Sequence, residues 1–399
     1  MARLADGRIG FAAGVAPGDS ILVEGVVARR SWIRATSWQL IAGGAERVEP
    51  SCRWYDRCGG CDWMHLSIGG QQKQKARLAL EALKRIGKIA CRSPEVVASP
   101  ATWRYRRRLR FHIDAQGRMG LFARGSHNLV EMDDCLVARS EIMEELGRLR
   151  EHGRRHRAVL AEFASVEIRV SECAPRIGLF WQARGAGISA AARRFIATLP
   201  NEHCAAEVST EQSVVCQTWM DRPPTEVVVP LRSFVQVNAR VNARLTDTLL
   251  RHCEQQGVSS FIELYCGSGN LTLPMLATGL VGRAVELDSA AIRAARAAAL
   301  RQGFDPETFV CCDAAAGMPA RIDRPDLMLL DPPRSGAAAA LHHVARISPP
   351  HVAIVACDPA TLARDLRCLS DSGYRLVQLA CFDMFPQTHH VELFAWLSR

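Results

Sequence analysis

The chain has 399 residues, 48% apolar and 23% charged, which is enough for two or three compact domains. Its 50 lysines and arginines exceed its 41 acidic residues, and eleven basic residues against two acidic ones lie between Lys84 and Arg124. This concentration predicts a polyanionic partner, most simply a nucleic acid. No apolar run is long enough to span a bilayer, and the amino terminus lacks a signal-peptide pattern. We therefore expect a cytoplasmic protein with no membrane partner.

The first fifty residues predict a small β module, because they are glycine-rich and their short apolar runs have no helical period. A stretch rich in Cys, Trp and Gly follows, and then a helix over 71–86. Short β-like runs next alternate with Gly, Pro and Arg as far as about residue 230, interrupted by one helix near 140–158. We expect three domains, at 1–50, 51–230 and 231–399.

After residue 241 the pattern becomes strand, glycine turn and helix, repeated. This alternation predicts a doubly wound α/β sheet, whose ligands bind at the carboxyl ends of its strands. The predicted strands are 260–265, 281–286, 308–311, 326–330, 351–357, 374–382 and 391–397. The predicted helices are 271–278, 289–302, 337–346 and 360–372.

Three cysteines lie within ten residues, as Cys52-x5-Cys58-Gly-Gly-Cys61. Thiols on one glycine-containing loop can converge on one metal centre, and fifteen cysteines in a cytosolic chain argue against a disulfide scaffold. A fourth ligand must come from elsewhere, and spacing alone does not select Cys135 over Cys91. The residue types permit either an iron-sulfur cluster or a structural zinc.

A glycine turn at 266–270 connects a predicted strand to a helix. A dinucleotide fingerprint would have a third glycine at Thr272, so NAD is disfavoured. The next strand ends in Glu286, where a carboxylate can accept hydrogen bonds from ribose hydroxyls. This arrangement suits an adenosine ligand without a pyrophosphate, and S-adenosylmethionine is the obvious candidate.

Two further strands of the same sheet end in reactive residues. Asp331 begins a rigid Asp-Pro-Pro-Arg loop that can present its carboxylate to a ligand, and Cys357 closes the next strand. A thiolate that adds to C6 of a pyrimidine makes C5 able to attack a methylsulfonium, after which a base must remove the C5 proton. Glu392 is a candidate base and a salt-bridged carboxylate is the alternative, while His389 and His390 are not excluded by spacing.

Together these residues resemble the RNA 5-methyluridine methyltransferases, specifically the iron-sulfur branch that modifies large-subunit ribosomal RNA. The resemblance runs from the opening β module, which is similar to a shortened TRAM domain, to the carboxyl terminus. Besides the cysteine motif, it rests on FVQVN at 234–238, LYCGSGN at 264–270, DPPR at 331–334, CDPATLARD at 357–365, and MFP at 384–386 followed by HVE at 390–392.

The resemblance implies a Rossmann-like class I methyltransferase domain, a central β-rich domain carrying a 4Fe-4S cluster, and a short TRAM-like module. It implies that Cys357 is the nucleophile, that Glu392 is the base, and that Cys135 is the fourth cluster ligand with Cys52, Cys58 and Cys61. The positions implied to contact the cofactor, S-adenosyl-L-methionine, are Gln236, Tyr265, Asn270, Glu286, Asp313 and Asp331.

One departure concerns Asp358, which stands where the family usually has Asn and adds a carboxylate expected to raise the pKa of Cys357. A second is the short first module, which puts its role in recognising an RNA loop in doubt. The segment 103–108 interleaves aromatic residues with arginines, a combination that holds phosphates and stacks splayed bases. A paired uracil does not expose C6 to a thiolate, so the target should be flipped or already in a loop.

We expect a monomer that methylates C5 of a uridine in 23S ribosomal RNA. The same chemistry on transfer RNA is the close alternative, although the cluster cysteines favour the ribosomal branch. A noncatalytic RNA-binding or assembly protein that keeps the fold and the cluster is the third reading.

Overall fold

The computed structural model describes residues 2–172, 176–199, 204–208, 213–218, 225–315 and 324–399. The amino-terminal part forms the predicted small β module, a four-stranded sheet with the order β1-β2-β4-β3. Its strands are β1 (Ala2–Arg3), β2 (Ile9–Phe11), β3 (Ser20–Ala28) and β4 (Trp32–Ala42).

The predicted helix near 71–86 is α1 (Ile68–Ala82), which continues as a π-helical turn at Leu83–Gly87. It begins at Ser67, whose side chain accepts a hydrogen bond from the Gly70 backbone N–H and so caps the first turn. The strand β5 (Glu95–Val97) follows.

A six-stranded sheet with the order β11-β10-β9-β6-β7-β8 forms the centre of the chain. The helices α2, α3 and α4 accompany it, and β12 and β13 form a separate antiparallel pair. The bounds are β6 (Arg108–Ile113), β7 (Met119–Phe122), β8 (Leu129–Val130), α2 (Ser140–Gly153), α3 (Arg157–Leu160), β9 (Phe163–Val170), β10 (Ile177–Ala183), α4 (Ala190–Ala197), β11 (Cys204–Glu207), β12 (Ser213–Thr218) and β13 (Thr225–Pro230).

The carboxyl-terminal part forms an eight-stranded sheet with the order β16-β15-β14-β17-β18-β20-β19-β5. The strands β14 to β18 run parallel to one another, and β20 is antiparallel to both of its neighbours. The bounds are α5 (Ala239–Gln255), β14 (Ser260–Leu264), α6 (Thr272–Ala277), β15 (Val281–Glu286), α7 (Ser289–Arg301), β16 (Phe309–Cys311), β17 (Leu327–Leu330), α8 (Leu341–Ile347), β18 (His351–Ala356), α9 (Pro359–Asp371), β19 (Arg375–Phe382) and β20 (Glu392–Ser398).

Both faces of this sheet are buried, which explains why its strands read as continuous apolar runs. Successive residues of β17 enter different cores: Leu327 and Leu329 pack with Phe394 and Trp396, while Met328 packs with Leu397 on the other face. The predicted doubly wound α/β arrangement is therefore confirmed, with its last strand reversed.

The expected central range of 51–230 does not pack as one unit. The strand β5 pairs in parallel with β19 at the edge of the carboxyl-terminal sheet. Ala79 and Leu83 are fully buried in the core of that sheet rather than in the central core. The apolar side of this helix and the edge pairing of β5 therefore place residues 68–97 with the carboxyl-terminal sheet. No helix within the described ranges is long and apolar enough to cross a membrane.

Candidate active site and cysteine centre

The predicted reactive and cofactor-contact residues meet at one edge of the carboxyl-terminal sheet. Because β14 to β18 are parallel, their carboxyl ends lie along the same edge. The antiparallel β20 begins at that edge. The residues that follow or end these strands are Tyr265, Glu286, Asp313, Asp331 and Cys357, joined by Glu392 at the start of β20.

The glycine loop after β14 has a backbone that ordinary residues adopt at a cost. Gly267 and Gly269 have φ values of 54° and 85°, and Tyr265 has a φ of 67°. A Cβ at Gly269 would lie 3.0 Å from the ring of Phe309, so this position needs glycine for space as well as for conformation. The loop therefore brings its backbone unusually close to the sheet edge.

Glu286 ties this loop to the next one. Its carboxylate accepts hydrogen bonds from the backbone N–H groups of Gly267 (3.1 Å), Leu287 (2.7 Å) and Asp288 (2.9 Å). These contacts fix the acid at the carboxyl end of β15, where sequence reasoning placed a ribose-binding group.

Two further carboxyl groups at this edge have raised pKa values. Burial and the charge of Glu286 raise the pKa of Asp331 to about 7. Burial raises the pKa of Glu263 to about 8, opposed by a hydrogen bond that Thr272 donates to its carboxylate. A site that disfavours carboxylate charge in the absence of a cation is suited to a positively charged ligand. Glu263 was not predicted, because a carboxylate inside an apolar strand carries no distinguishing spacing.

Other polar groups at this edge show how a ligand would be held. Asn270 and Asn242 exchange two side-chain hydrogen bonds, of 2.8 and 3.0 Å, which attach the glycine loop to α5. Gln236 Oε1 and Ser268 Oγ are buried without a hydrogen-bond partner among the described residues. Buried polar atoms are rarely left unpaired, so these two atoms mark where a ligand would supply partners. Asn242 is a residue that sequence reasoning missed, since nothing distinguishes it from other polar residues of a helix.

Asp313 lies in the loop after β16 and accepts a hydrogen bond from the Ala315 backbone N–H at 2.8 Å. Burial raises the pKa of the Tyr265 phenol, and the charges of Asp313, Asp365 and Glu286 raise it further. The two predicted positions therefore interact electrostatically.

Cys357 and Glu392 lie at the same end of the antiparallel pair formed by β18 and β20. Ala356, the last residue of β18, pairs with Leu393, and Cys357 and Glu392 are the residues next to that pair. Burial raises the pKa of the Cys357 thiol, as does the Glu392 charge, while Arg334 opposes the shift. Glu392 is 4% exposed, and burial followed by the Asp331 charge raises its pKa.

Asp358 does not have the predicted effect. Its carboxylate accepts hydrogen bonds from the backbone N–H groups of Ala360 (2.9 Å) and Thr361 (2.8 Å) and caps α9. The pKa of Cys357 is raised by burial and by the charges of Glu392 and Asp331 instead. The expected direction is correct, but the cause is different, because the capping geometry turns Asp358 toward its own helix.

The two histidines considered as alternative bases face other groups. His389 Nδ1 lies 2.5 Å from Asp62 Oδ2, and this hydrogen bond raises the pKa of His389. Burial, with the charges of His389 and Arg334, lowers the pKa of His390 to about 4. Neither histidine is next to the Ala356–Leu393 pair, as Glu392 is.

The four predicted cluster ligands line a single cavity. Cys52, Cys58, Cys61 and Cys135 surround it together with apolar side chains such as Leu109 and Leu121. The alternative ligand, Cys91, packs instead against the core of the carboxyl-terminal sheet. The structure thus distinguishes the two candidates that spacing left open.

Burial and the neighbouring thiols raise the pKa of Cys61 to about 12, and burial also raises the pKa values of Cys58 and Cys135. Arg106 lines the same cavity, and its Nε is buried with no hydrogen-bond partner among the described residues. Within those residues, no group of three or more His, Cys, Asp or Glu side chains is arranged to hold a metal ion.

Only some side chains of the basic segment 103–108 are exposed. Tyr105 and Arg107 are buried and donate hydrogen bonds to the backbone carbonyls of Pro386 (3.0 Å) and Gln236 (2.8 Å). Arg104 pairs with Asp134. The prediction that these aromatic and basic side chains together form an RNA-stacking face is therefore wrong for Tyr105 and Arg107, because the chain alternates inward and outward here.

One arginine of this segment does meet an exposed aromatic ring. The Arg108 guanidinium lies 4.9 Å from the ring centroid of Phe234, which is 63% exposed. Phe234 stands two residues before Gln236, one of the predicted cofactor-contact residues.

The family model for tRNA (Uracil-5-)-methyltransferase matches residues 228–306 and 324–399, the part that contains this edge. The 23S rRNA (uracil(1939)-C(5))-methyltransferase RlmD of Aeromonas hydrophila is 30% identical over 407 residues, covering 98% of this chain and 92% of the relative. The enzyme of the same description from Pseudomonas putida is 30% identical over 420 residues, covering 98% and 89%.

Among solved structures, the Pyrococcus abyssi tRNA (uracil-54, C5)-methyltransferase in complex with S-adenosyl-L-homocysteine is similar over 97% of this chain and 95% of that chain. The TM-score is 0.73 and the identity 22%, which supports a common fold along the whole chain.

Proposed function

The chain belongs to the RNA uracil-C5-methyltransferases, and we propose that it uses S-adenosylmethionine to methylate C5 of a uridine in 23S ribosomal RNA through a covalent adduct at Cys357. The observation that supports this proposal most is that Cys357 and Glu392 both lie next to the Ala356–Leu393 pair, at the edge where the glycine loop and Glu286 also lie. Family membership in itself makes the chain an enzyme rather than a noncatalytic RNA-binding protein.

The proposed reaction needs one nucleophile and one base. The Cys357 thiolate adds to C6 of the uracil, which gives C5 the electron density to take a methyl group. Glu392 then removes the C5 proton, the C5–C6 double bond reforms, and the bond from C6 to the Cys357 sulfur breaks. The raised pKa of Glu392 suits a base that must hold a proton after the transfer.

S-adenosylmethionine would supply the methyl group as a sulfonium cation. The residues proposed to hold it are Gln236, Tyr265, Asn270, Glu286, Asp313 and Asp331. The unpaired Gln236 Oε1 and Ser268 Oγ and the raised pKa of Asp331 support a polar, positively charged occupant at this edge.

The four cavity cysteines, Cys52, Cys58, Cys61 and Cys135, are proposed to hold a 4Fe-4S cluster. Buried thiols with raised pKa values become thiolates only beside a strong positive charge, which a metal centre provides. The Gly60 backbone N–H donates to Cys58 Sγ at 3.4 Å, and Arg106 has a free donor facing the cavity. Four cysteines around one cavity supply the four thiolates that a 4Fe-4S cluster requires.

The RNA would lie across the basic side of the central domain and reach the catalytic edge beside Phe234 and Arg108, which can stack on an unpaired base. The amino-terminal sheet is proposed to act as a TRAM-like RNA contact, since Arg29 stacks over Trp32 at its exposed end. The target uridine would be unpaired or flipped when Cys357 attacks.

The experiment that tests the substrate is to map 5-methyluridine in ribosomal and transfer RNA from a strain lacking this gene. Loss of one modified uridine from 23S ribosomal RNA is expected. Loss from transfer RNA alone would overturn the ribosomal assignment and leave the chemistry intact. Iron and sulfide analysis of anaerobically purified protein tests the cluster, and stoichiometric zinc without sulfide would overturn it.

A further inference from the structure

Residues 383–391 connect β19 to β20 and end immediately before Glu392, at the edge of the sheet where the parallel strands end. It contains a left-handed residue, Gln387, with a φ of 71°. A non-glycine residue in this conformation is retained only where its surroundings hold it. Several parts of the chain contact residues 383–391. Two of them bind Gln387: the helix α1 and the loop that carries Cys52, Cys58 and Cys61, called the cysteine loop below.

The cysteine loop holds the segment through Asp62, the residue after Cys61. The Asp62 carboxylate accepts a hydrogen bond from the His389 backbone N–H at 3.0 Å and contacts His389 Nδ1 at 2.5 Å. The backbone N–H groups of Asp62 and Trp63 both donate to the Gln387 carbonyl, at 3.2 and 3.0 Å. Four contacts thus join two residues of the segment, Gln387 and His389, to the loop that carries Cys61.

The helix α1 holds the same segment through Gln71. Gln71 Nε2 donates to Gln387 Oε1 at 3.0 Å, and the Gln387 backbone N–H donates to Gln71 Oε1 at 2.8 Å. Gln71 is fully buried and Gln387 is 2% exposed. Gln71 Nε2 also donates to the carbonyls of Trp63 and Leu66. One side-chain amide therefore binds both the cysteine loop and the catalytic segment, residues 383–391.

A buried ion pair anchors the start of the segment. Lys75 Nζ lies 2.5 Å from Asp383 Oδ1 and donates to the Phe385 carbonyl at 2.9 Å, and both side chains are almost completely buried. Buried charges of this kind cost free energy to desolvate, so they are better suited to fixing a geometry than to adding stability.

We propose that Asp62 and Gln71 are positioning residues for Glu392, and that the cysteine centre supports catalysis by fixing the loop from which Asp62 reaches the catalytic segment. This inference rests on the proposed function, in which Glu392 removes the C5 proton after the methyl group has been transferred. Loosening the segment should then slow the last step, release of the adduct, more than the earlier attack by Cys357, which lies on a different strand.

The test uses the full-length enzyme with bound cluster, in the variants Asp62→Ala and Gln71→Ala. Asp56→Asn is the matched control, because Asp56 is an exposed acid of the same cysteine loop that lies between Cys52 and Cys58. We expect release of the denaturation-resistant protein–RNA adduct to slow by about tenfold to a hundredfold in both test variants, as for a misplaced catalytic group. Methyl transfer to RNA in a single turnover should change by less than about threefold, and the Asp56→Asn enzyme should behave as the unsubstituted one.

A Glu392→Gln enzyme is measured alongside to separate the two proposals. Adduct accumulation in Glu392→Gln but not in the Asp62 and Gln71 variants would overturn the positioning proposal alone. The absence of adduct in Glu392→Gln would overturn the assigned base and with it the premise of the inference. A parallel fall of methyl transfer and adduct release in both test variants would also overturn positioning, because it would indicate a general loss of structure. Since Asp62 is partly exposed, its variant keeps the experiment decisive even where Gln71→Ala fails to fold.

Hydrogen exchange gives a readout independent of activity. Amide exchange of peptides covering residues 383–391 should become faster in Asp62→Ala and after removal of iron by chelation, while peptides from β14 and β17 remain protected. Unchanged exchange at 383–391 after iron removal would overturn the link between the cysteine centre and the catalytic segment.

Discussion

Cys357 and Glu392 lie at the same end of the antiparallel pair β18 and β20, each next to a member of the last pair, Ala356 and Leu393. The charge of Glu392 raises the pKa of the Cys357 thiol, so the two side chains are close enough to interact. The reversal of the last strand therefore brings Glu392, the proposed base, to the edge where the parallel strands end. With every strand parallel, the start of β20 would lie at the opposite edge.

Substitutions of Cys357 and Glu392 should affect different steps of the reaction. Cys357→Ala should abolish methylation, because no thiolate is left to add to C6, whereas Glu392→Gln should still form the adduct and release it slowly. Losses of about two to four orders of magnitude in turnover are expected for a missing general base. The measurements are methyl incorporation from labelled cofactor and denaturing gel electrophoresis of the protein–RNA adduct. Retained methylation in Cys357→Ala would contradict the nucleophile, and free turnover by Glu392→Gln would contradict the base.

The sequence was sufficient to predict the carboxyl-terminal sheet, because its parallel strands are mostly apolar runs and β14, β17 and β18 are followed by glycine or proline turns. The end of each run then locates Glu286, Asp331 and Cys357. It was insufficient for β5, a three-residue strand whose pairing with β19 depends on contacts across nearly the whole chain.

The direction in which individual side chains point was the other feature that was not predicted from the sequence. Tyr105 and Arg107 were predicted to face RNA, but they alternate inward with Leu109 in the approach to β6. Period-two alternation was visible in the sequence and indicates a half-buried strand rather than a fully exposed basic face. No local signal marked Asn242 or Gln71, whose hydrogen-bond partners lie outside their own helices, at Asn270 and Gln387.

The rate of methylation should rise with pH across the neutral range. Burial raises the pKa values of both Cys357 and Glu392, and each group acts in its deprotonated form, as thiolate and as carboxylate. Raising the pH therefore increases the reactive fraction of both groups. Single-turnover methyl transfer at about pH 6 to 9 measures the attack, and adduct release measures the base. A rate that is flat or falls over this range would contradict the assignment.

Substituting Asp331 should change both stability and ligand preference. Its pKa is about 7 in the folded protein against 3.8 for the free side chain, so the stability contributed by its protonated form is complete below about pH 4 and lost as pH rises to 7. Asp331→Asn should therefore stabilise the ligand-free protein at pH 8, by about 1 to 2 kcal/mol after allowing for solvent screening. Thermal and urea unfolding at two pH values measure this.

The same substitution should weaken the preference for a cationic ligand. Binding of S-adenosylmethionine should strengthen with pH through Asp331 ionisation more than binding of S-adenosylhomocysteine, which lacks the sulfonium charge, and Asp331→Asn should reduce that difference. Asp326→Asn is the control, because hydrogen bonds from Ser259 and Ser260 lower the pKa of Asp326, so its loss should destabilise the protein at pH 8. Equal pH dependence of both ligands, measured by calorimetry, would contradict a role for Asp331 in cofactor charge recognition.

Gly269→Ala should disrupt the glycine loop more than its backbone conformation alone predicts. Gly269 and Gly279 both have left-handed φ values, 85° and 89°, so alanine at either position costs about 1 to 2 kcal/mol. A Cβ at Gly279 meets nothing within 4 Å, whereas one at Gly269 lies 3.0 Å from the Phe309 ring and 3.2 Å from Leu273. Overpacking of this kind typically adds about 1 to 3 kcal/mol to the loss of stability.

Urea unfolding should therefore show that the Gly269→Ala protein is less stable than the Gly279→Ala protein. Calorimetry should detect weaker cofactor binding only in Gly269→Ala, because the displaced loop carries Asn270 and contacts Glu286. Equal stability and equal binding in the two variants would contradict the close approach at Gly269.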